Sequence, residues 1–417
     1  MKDISKVVIA GAGPGGLTAA LALRDRGVDV RIFERVDREH MLADVGGAYD
    51  LSPHVFEAMD DLGVGEALRK DASHISALKT FSSSGEEIGT LTIPDSIDTV
   101  SLRRSVLQRR LLHTFGVERV TASAKVIGYR EDEAGVTVEL EGGQTHRADV
   151  LIGADGIHSM VRAGVLGEQP AHFCSCMCSW GRVSDTEFAQ LAELPADGVT
   201  WFGRGACFIL GHLDGLIIWS AFWHADEYAR SASRAATKAL ILDRFAEYPD
   251  FVRALIESTP DDTLAETGIW DRDPSPGWTK GRVALLGDAA HPTTPFLGQG
   301  ANSAITDGYV LGSYLSGMPY AEAFELYEQR RMKVVAKNVK TARRIGEMMT
   351  GDRWWSSLAT RVLFGWLPDQ WLVKGILTAD EANDMRDLIE AHRDDGRSAV
   401  TSGRWARARD TTGAPPT

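Results

Sequence analysis

The sequence predicts an α/β fold: a nucleotide-binding domain interleaved with a mainly β domain and followed by C-terminal helices. Three observations predict it. The first 34 residues spell strand, glycine-rich turn, helix, strand. Two further segments bearing glycine and aspartate, at 153–162 and 287–302, each follow a short apolar run. Between them, from Cys174 to His224, the pattern is strand-like and dense in aromatic residues.

Lys6–Ala10 (KVVIA) is a β-branched run of the kind that forms a buried parallel strand. Gly11 to Gly16 is a turn, Leu17 to Arg26 a helix with Gly27 as its stop, and Asp29–Glu34 a second strand. Such a β–α–β crossover is right-handed. Leu51–Leu62 and Arg104–Phe115 read as helices, and Ala77–Pro94, Val136–Leu140, Asp149–Gly153 and Val283–Leu286 as strands. Asn302 to Met349 and Trp354 to Leu367 read as helical. The tail from Asp394 to Thr417, rich in Arg, Thr, Gly and Pro, is expected to fray. The nucleotide-binding domain is therefore assembled from 1–75, 101–170 and 271–335, and the substrate domain from 76–100 and 171–270. Residues 336–395 form C-terminal helices and 396–417 a flexible tail.

Composition narrows the function. With 45 Lys and Arg against 58 Asp and Glu and no basic block, the chain is a poor nucleic-acid partner, because phosphate affinity comes from cation neutralisation. Met1 to Ala10 lacks a signal-peptide pattern, and no apolar stretch reaches 18 residues. The four cysteines begin only at Cys174 and do not form a secreted disulfide framework. These features predict a cytoplasmic protein with reduced thiols.

Gly11-Ala12-Gly13-Pro14-Gly15-Gly16 is a G-x-G-x-x-G between strand and helix. Gly11 permits the tight turn, Gly13 admits a pyrophosphate close to the backbone, and Gly16 lets the helix pack on the strand. The helix N-terminus offers N–H groups and a positive dipole end to phosphate. Glu34, closing the second strand, is placed to accept ribose hydroxyls. This motif alone does not separate FAD from NAD. Asp149–Arg162 (DVLIGADGIHSMVR) then places Asp155-Gly156 between a strand and a helix start. Gly281–Gly308 places Gly287-Asp288 after a strand, before a Pro- and Gly-rich loop that enters a helix near Gly300. A loop of that kind presents N–H donors to developing negative charge, which a reduced flavin requires.

These three motifs in this order resemble the flavoprotein aromatic hydroxylases of the para-hydroxybenzoate hydroxylase fold. The resemblance covers roughly residues 1–345 and implies a Rossmann-like, three-layer ββα FAD-binding domain. It implies that Gly11, Gly13, Pro14, Gly15, Gly16 and Glu34 hold the ADP half, with Arg35 beside them. It further implies that Asp155 and Gly156 serve both FAD and the nicotinamide cofactor, and that Asp288, after Gly287, holds the ribityl chain. Pro295, Gly298, Gly300, Ala301 and Asn302 would flank the isoalloxazine. Arg104 opens an R-x-x-L helix start whose arginine contacts the flavin in relatives, and Gln108 lies next to it. Gly46-Gly47-Ala48-Tyr49-Asp50-Leu51 is similar to the G-G-x-x-D-L segment of the tetracycline-inactivating monooxygenases, which lies along the flavin.

The activity so implied is a single-component monooxygenase. NADH or NADPH reduces FAD, O2 gives a flavin C4a-hydroperoxide, and a small aromatic or polycyclic substrate is hydroxylated or epoxidised. No second G-x-G-x-x-G and no redox cysteine pair occur, so the nicotinamide cofactor would visit transiently. A flavin-dependent reductase or dehydrogenase of the same fold, or a non-redox flavoprotein cyclase, are the alternatives. The flavin carries the chemistry, and the sequence identifies no protein nucleophile, base or metal centre.

Other features have plainer readings. His291 is expected to be a hydrogen-bonded structural histidine. Cys174, Cys176 and Cys178 share one strand face without a metal-binding partner cluster. Alternation puts Ile217, Trp219, Ala221 and Trp223 on one face, and Ile218, Ser220, Phe222 and His224 on the other. One face is core, and periodicity does not say which. Trp201, Trp219, Phe222 and Trp223, with Tyr49 and Asp50, are the substrate-pocket candidates. Arg353–Leu372, rich in tryptophan and arginine, reads as a covering helix or dimer contact, with peripheral membrane contact as its alternative.

Overall fold

The computed structural model describes residues 4–43, 46–94, 100–188, 194, 196, 198–352 and 385–390. The helix expected at Trp354–Leu367, the Arg353–Leu372 segment and the tail lie outside the described residues. No helix among the described residues is long and apolar enough to cross a membrane.

A six-stranded sheet carries the first core. Its order is Thr279–Lys280, Val283–Leu285, Val150–Gly153, Lys6–Ala10, Asp29–Phe33, Val120–Thr121. Lys6–Ala10 lies parallel to both neighbours, with Val8 opposite Leu151 on one side and Arg31 on the other. Its four final residues are buried, as strands covered on two faces require. Helices Pro14–Arg24 and Gly300–Gly317 cover one face. An antiparallel sheet of Val126–Asp132, Gly135–Leu140 and Thr145–Ala148 covers the other. The result is the three-layer ββα arrangement.

The seven-stranded sheet runs Ala265–Asp271, His172–Ser184, Leu216–His224, Ala206–Leu213, Gly198–Gly203, Ala77–Ser82, Glu87–Thr92. It is antiparallel except where Gly198–Gly203 pairs parallel with Ala77–Ser82. Helices Arg234–Arg244 and Asp250–Ser258 pack on one face and close a second core around Trp201, Phe208 and Trp219. The opposite face is left to a cavity.

The two covering helices approach at backbone distance. A Cβ at Gly308 would lie 2.3 Å from Gly15 O and 2.9 Å from Ala19 N. A Cβ at Gly312 would lie 2.8 Å from Ala22 Cβ. The first glycine motif and the third are thus packed onto each other. Gly308→Ala gains about 0.5–1 kcal/mol of helix propensity. The clash is with main-chain atoms that cannot rotate away, so overpacking wins. A net loss of about 1–3 kcal/mol is expected, read as a lower midpoint in urea unfolding.

Candidate functional site

One cavity of about 1450 Å³ runs between the glycine-rich end of the six-stranded sheet and the open face of the seven-stranded one. That exceeds the ~300–1,000 Å³ of a site for one drug-sized ligand.

Glycines shape the first wall. Gly11 adopts φ +104°, where a Cβ would meet Ala154 O at 2.3 Å. Gly13 faces open space, so a side chain there would project without obstruction. Helix Pro14–Arg24 starts with Pro and has no side-chain cap. Its first N–H groups are left for a ligand. The Ala12 peptide is held from both sides: its N–H donates to Glu34 Oε2 at 2.8 Å, and its carbonyl accepts from Gln108 Nε2 at 2.5 Å. Glu34 also accepts from Val36 N at 3.1 Å. Arg35 is exposed, and Gly11, Glu34, Arg35 and Gln108 stand outside the cavity lining.

The second wall is polar. Arg104 lies under the Gly46-Gly47 backbone with its guanidinium 5.8 Å from the Tyr49 ring centre. Asp288 is exposed on the cavity, near Arg104. Burial raises its carboxyl pKa, opposed by the charges of His291 and Arg104. Asp50 accepts from Ser101 Oγ, and burial likewise raises its carboxyl. Gly298, at φ +68°, turns the loop before helix Gly300–Gly317, which also lacks a side-chain cap. The sequence-predicted residues that line this cavity are Gly13, Pro14, Gly15, Gly16, Gly47, Tyr49, Asp50, Arg104, Gly156, Phe222, Gly287, Asp288, Pro295, Gly298, Gly300 and Ala301.

Several candidates have other work. Asp155 braces the start of helix Met160–Leu166, which Ser159 caps: it accepts from Met160 N at 2.8 Å and from Ser159 Oγ, while Gly156 beside it reaches the cavity. Asn302 is fully buried. Its amide donates to Asp50 O at 2.8 Å and Gly298 O at 3.2 Å and accepts from Ser52 N at 3.0 Å, tying the G-G-x-x-D-L segment to the loop. Trp201, Trp219 and Trp223 do not line the cavity. They occupy the second core: Trp201 stacks on Phe81 and Phe251, Trp219 donates to Thr259 Oγ1 at 2.9 Å, and Trp223 sits under Arg244. Strand alternation puts their neighbours Phe202, Ile218 and Phe222 on the cavity side.

The frame beneath the site is an ion network absent from the sequence reading. Buried Asp307 accepts from Gly287 N at 3.0 Å, His291 Nε2 at 2.5 Å and Arg331 Nε at 2.7 Å. His291 is structural, as expected. Although burial opposes it, the neighbouring His291 and Arg331 lower the Asp307 carboxyl to about 2. Ser101, beside Asp50, and Trp180, on the cavity face, were also not singled out. The alternation that placed Cys178 extends two residues to Trp180 and would have found it.

His172, Cys174 and Asp271 bring ligand atoms within 4.8 Å of one another. Arg343 already grips Asp271 by two hydrogen bonds of 2.7 and 3.0 Å, and burial pushes the Cys174 thiol far up, disfavouring the thiolate that metals bind. No metal centre is assigned there. Cys174, Cys176 and Cys178 meet in one cluster, as alternation predicts, across a register shift between Phe173 and Met177 where Ser175 takes φ +49°.

Residues 5–204 and 237–342 match the family model described as FAD binding domain. The chain belongs to the FAD-dependent monooxygenases of the aromatic hydroxylase family. It is 33% identical over 355 residues to aurachin C monooxygenase/isomerase of Stigmatella aurantiaca, covering 84% of this chain and 90% of that one. It is 30% identical over 358 residues to 3-hydroxybenzoate 6-hydroxylase of Polaromonas naphthalenivorans, covering 82% and 87%. Klebsiella pneumoniae HpxO, solved with FAD and uric acid, superposes with a TM-score of 0.83 at 27% identity over 92% of this chain and 98% of that one. The open face at Gly13 and two uncapped helix starts on one cavity fit the FAD that this family binds.

Asp307→Asn leaves Arg331 and His291 without their carboxylate. A loss of about 3–5 kcal/mol is expected in chemical unfolding. Because the folded pKa lies below the unfolded value of about 3.9, the carboxylate's contribution is complete above that value and fades as pH falls towards about 2. The variant should therefore lose part of the acid dependence of stability between those limits.

Proposed function

We propose that this monooxygenase uses NADH or NADPH and O2 to hydroxylate or epoxidise a small aromatic or polycyclic compound. One observation carries the reading: a single cavity joins the pyrophosphate-type glycine turn, Asp288 and the apolar sheet face. In it, 1–75, 101–170 and 271–335 hold the cofactor, and 76–100 and 171–270 enclose the substrate. Bound FAD supplies a two-electron acceptor and the centre at which oxygen is activated.

The chain does the rest. Gly13 to Gly16 and the uncapped helix start receive the pyrophosphate. Glu34 and Gln108 fix the Ala12 peptide so that this turn keeps its shape. Asp288 accepts from a cofactor hydroxyl. The N-terminus of helix Gly300–Gly317 presents N–H donors and its positive dipole end to negative charge on the reduced cofactor. The apolar wall of Phe202, Ile209, Ile218 and Phe222 keeps water from the reacting atoms, and Asp50 with Ser101 offers the substrate an acceptor and a hydroxyl.

Asp288→Ala should retain less FAD through purification, read as a lower flavin-to-protein absorbance ratio. Glu34→Ala should do the same through a loosened glycine turn. Variants as yellow as the parent remove those residues from the cofactor site. The activity is tested by following NADH and NADPH oxidation in air against a panel of aromatic compounds, with mass spectrometry of the products. Oxidation accelerated by a compound that gains one oxygen atom is expected. Flavin reduction with no oxygen gained by any compound overturns the oxygenase reading.

A further inference from the structure

The charge inventory of the cavity is lopsided. On the sheet side the wall is Trp180, Phe202, Ile209, Ile218, Phe222 and Ile269. Its polar members there include the uncharged Thr200, Ser220, Thr267 and Tyr228, with His212 near the end of its strand, and Ser101 and Asp50 also line the cavity.

The described lining holds one arginine, Arg104, and three histidines, His74, His158 and His212. Arg104 sits on the cofactor side, against Gly46, Tyr49 and Asp288. His158 follows Gly156 on that same side. His212 faces Asp185 at 3.3 Å. His74 is on the exposed rim strand Ser73–His74. Arg103, next to Arg104, is bound to Asp214 at 2.6 Å.

An anion that leaves water for such a wall loses hydration, and the one histidine on it, His212, already faces Asp185. A neutral ring loses little and gains contact with the aromatic and aliphatic side chains. We propose that the chamber selects neutral, apolar, multi-ring or alkyl-substituted aromatic substrates and rejects aromatic carboxylates. The inference rests on the reading of this sheet face as the substrate chamber. Selectivity of this kind comes as much from what the wall refuses as from what it attracts. The cavity's size, about 1450 Å³ for cofactor and substrate together, leaves room for more than one ring.

The test is binding to the full-length, FAD-loaded protein without nicotinamide cofactor, read by calorimetry and by perturbation of the flavin spectrum. The probes are 2-naphthol and 3-hydroxy-2-naphthoate, and 1-naphthol and 1-hydroxy-2-naphthoate. In each pair the neutral compound should bind at least about tenfold tighter. Ser220→Arg and, independently, Thr200→Lys place a cation on the wall and should narrow or reverse the ratio, provided flavin is retained. Carboxylates that bind the parent protein as tightly as their neutral partners overturn the proposal, as does failure of both naphthols to bind. No oxygen transfer is read. A protein that prefers the naphthols here yet oxygenates nothing in the turnover assay sinks the oxygenase reading alone, and one that oxygenates in that assay yet binds carboxylates here as tightly as naphthols sinks the selectivity alone.

Discussion

Asp307 sits at the point where four parts of the chain meet, and its carboxylate is what fixes them. It takes the Gly287 N–H at the end of the strand Val283–Leu285, the His291 ring in the following loop, and the Arg331 guanidinium from helix Tyr320–Thr350. It stands on helix Gly300–Gly317 itself. A charge with no exposed surface is tolerated only when partners replace its water, and here hydrogen bonds reach both carboxylate oxygens. Desolvation and partner charges act in opposite directions on this group. The charges of His291 and Arg331 outweigh desolvation and hold the carboxyl low. The consequence for the site is positional: Asp288 follows a backbone N–H already locked by Asp307, so its own carboxylate is aimed at the cavity.

The same helix is held from its other side by shape, with no polar contact needed. Gly308 and Gly312 let it lie against helix Pro14–Arg24 at a separation that any side chain would forbid. Gly15 completes the contact, since a Cβ there would meet Ala304 O at 2.6 Å. Two helix starts, separated by almost three hundred residues of chain, are thereby brought to one cavity with their N–H groups unsatisfied. Neither has a side-chain cap. An uncapped N-terminus costs a helix about 0.5–2 kcal/mol relative to a good cap, and packing of the two helices offsets that cost while leaving both ends available to a ligand.

What was legible in the sequence follows from range. The β–α–β unit, the glycine turn, the strand ends and the loop into helix Gly300–Gly317 are local patterns, and the structure contains them within a few residues of where periodicity put them. The long helical reading from Asn302 to Met349 is interrupted at Met318 and Pro319, where one helix ends and the next begins. The less legible part concerns which of two faces is used. Leu216–His224 is apolar on both sides, because one packs on helices and the other walls a cavity. Bulk alone favoured the tryptophans, and the fold put three of them in the core. Asp155 and Asn302 stand in cofactor motifs, and their hydrogen bonds go to protein: Asp155 to the start of the helix that follows it, Asn302 across 252 residues of chain to Asp50. Arg331 lies 24 residues from Asp307 on another helix, a pairing that no spacing rule encodes.

The cavity therefore has two chemically different halves built by two different means. The half bounded by the glycine turn is made largely from main chain: glycines, N–H groups at helix starts, and a few charged side chains, of which Asp288 follows a residue held by Asp307. The other half is made from side chains on alternate positions of strands, and its character is whatever those positions carry. Changing a strand residue on the cavity face alters one patch of wall without touching the hydrogen-bond ladder behind it, since the ladder is main chain and the opposite face is packed by different residues. The glycine-turn half admits few substitutions at Gly15 and Gly16, where a Cβ would meet backbone. Divergence in substrate within this family is thus expected to concentrate on the cavity-facing positions of the seven-stranded sheet, and the network around Asp307 to be shared by members that oxidise unlike molecules.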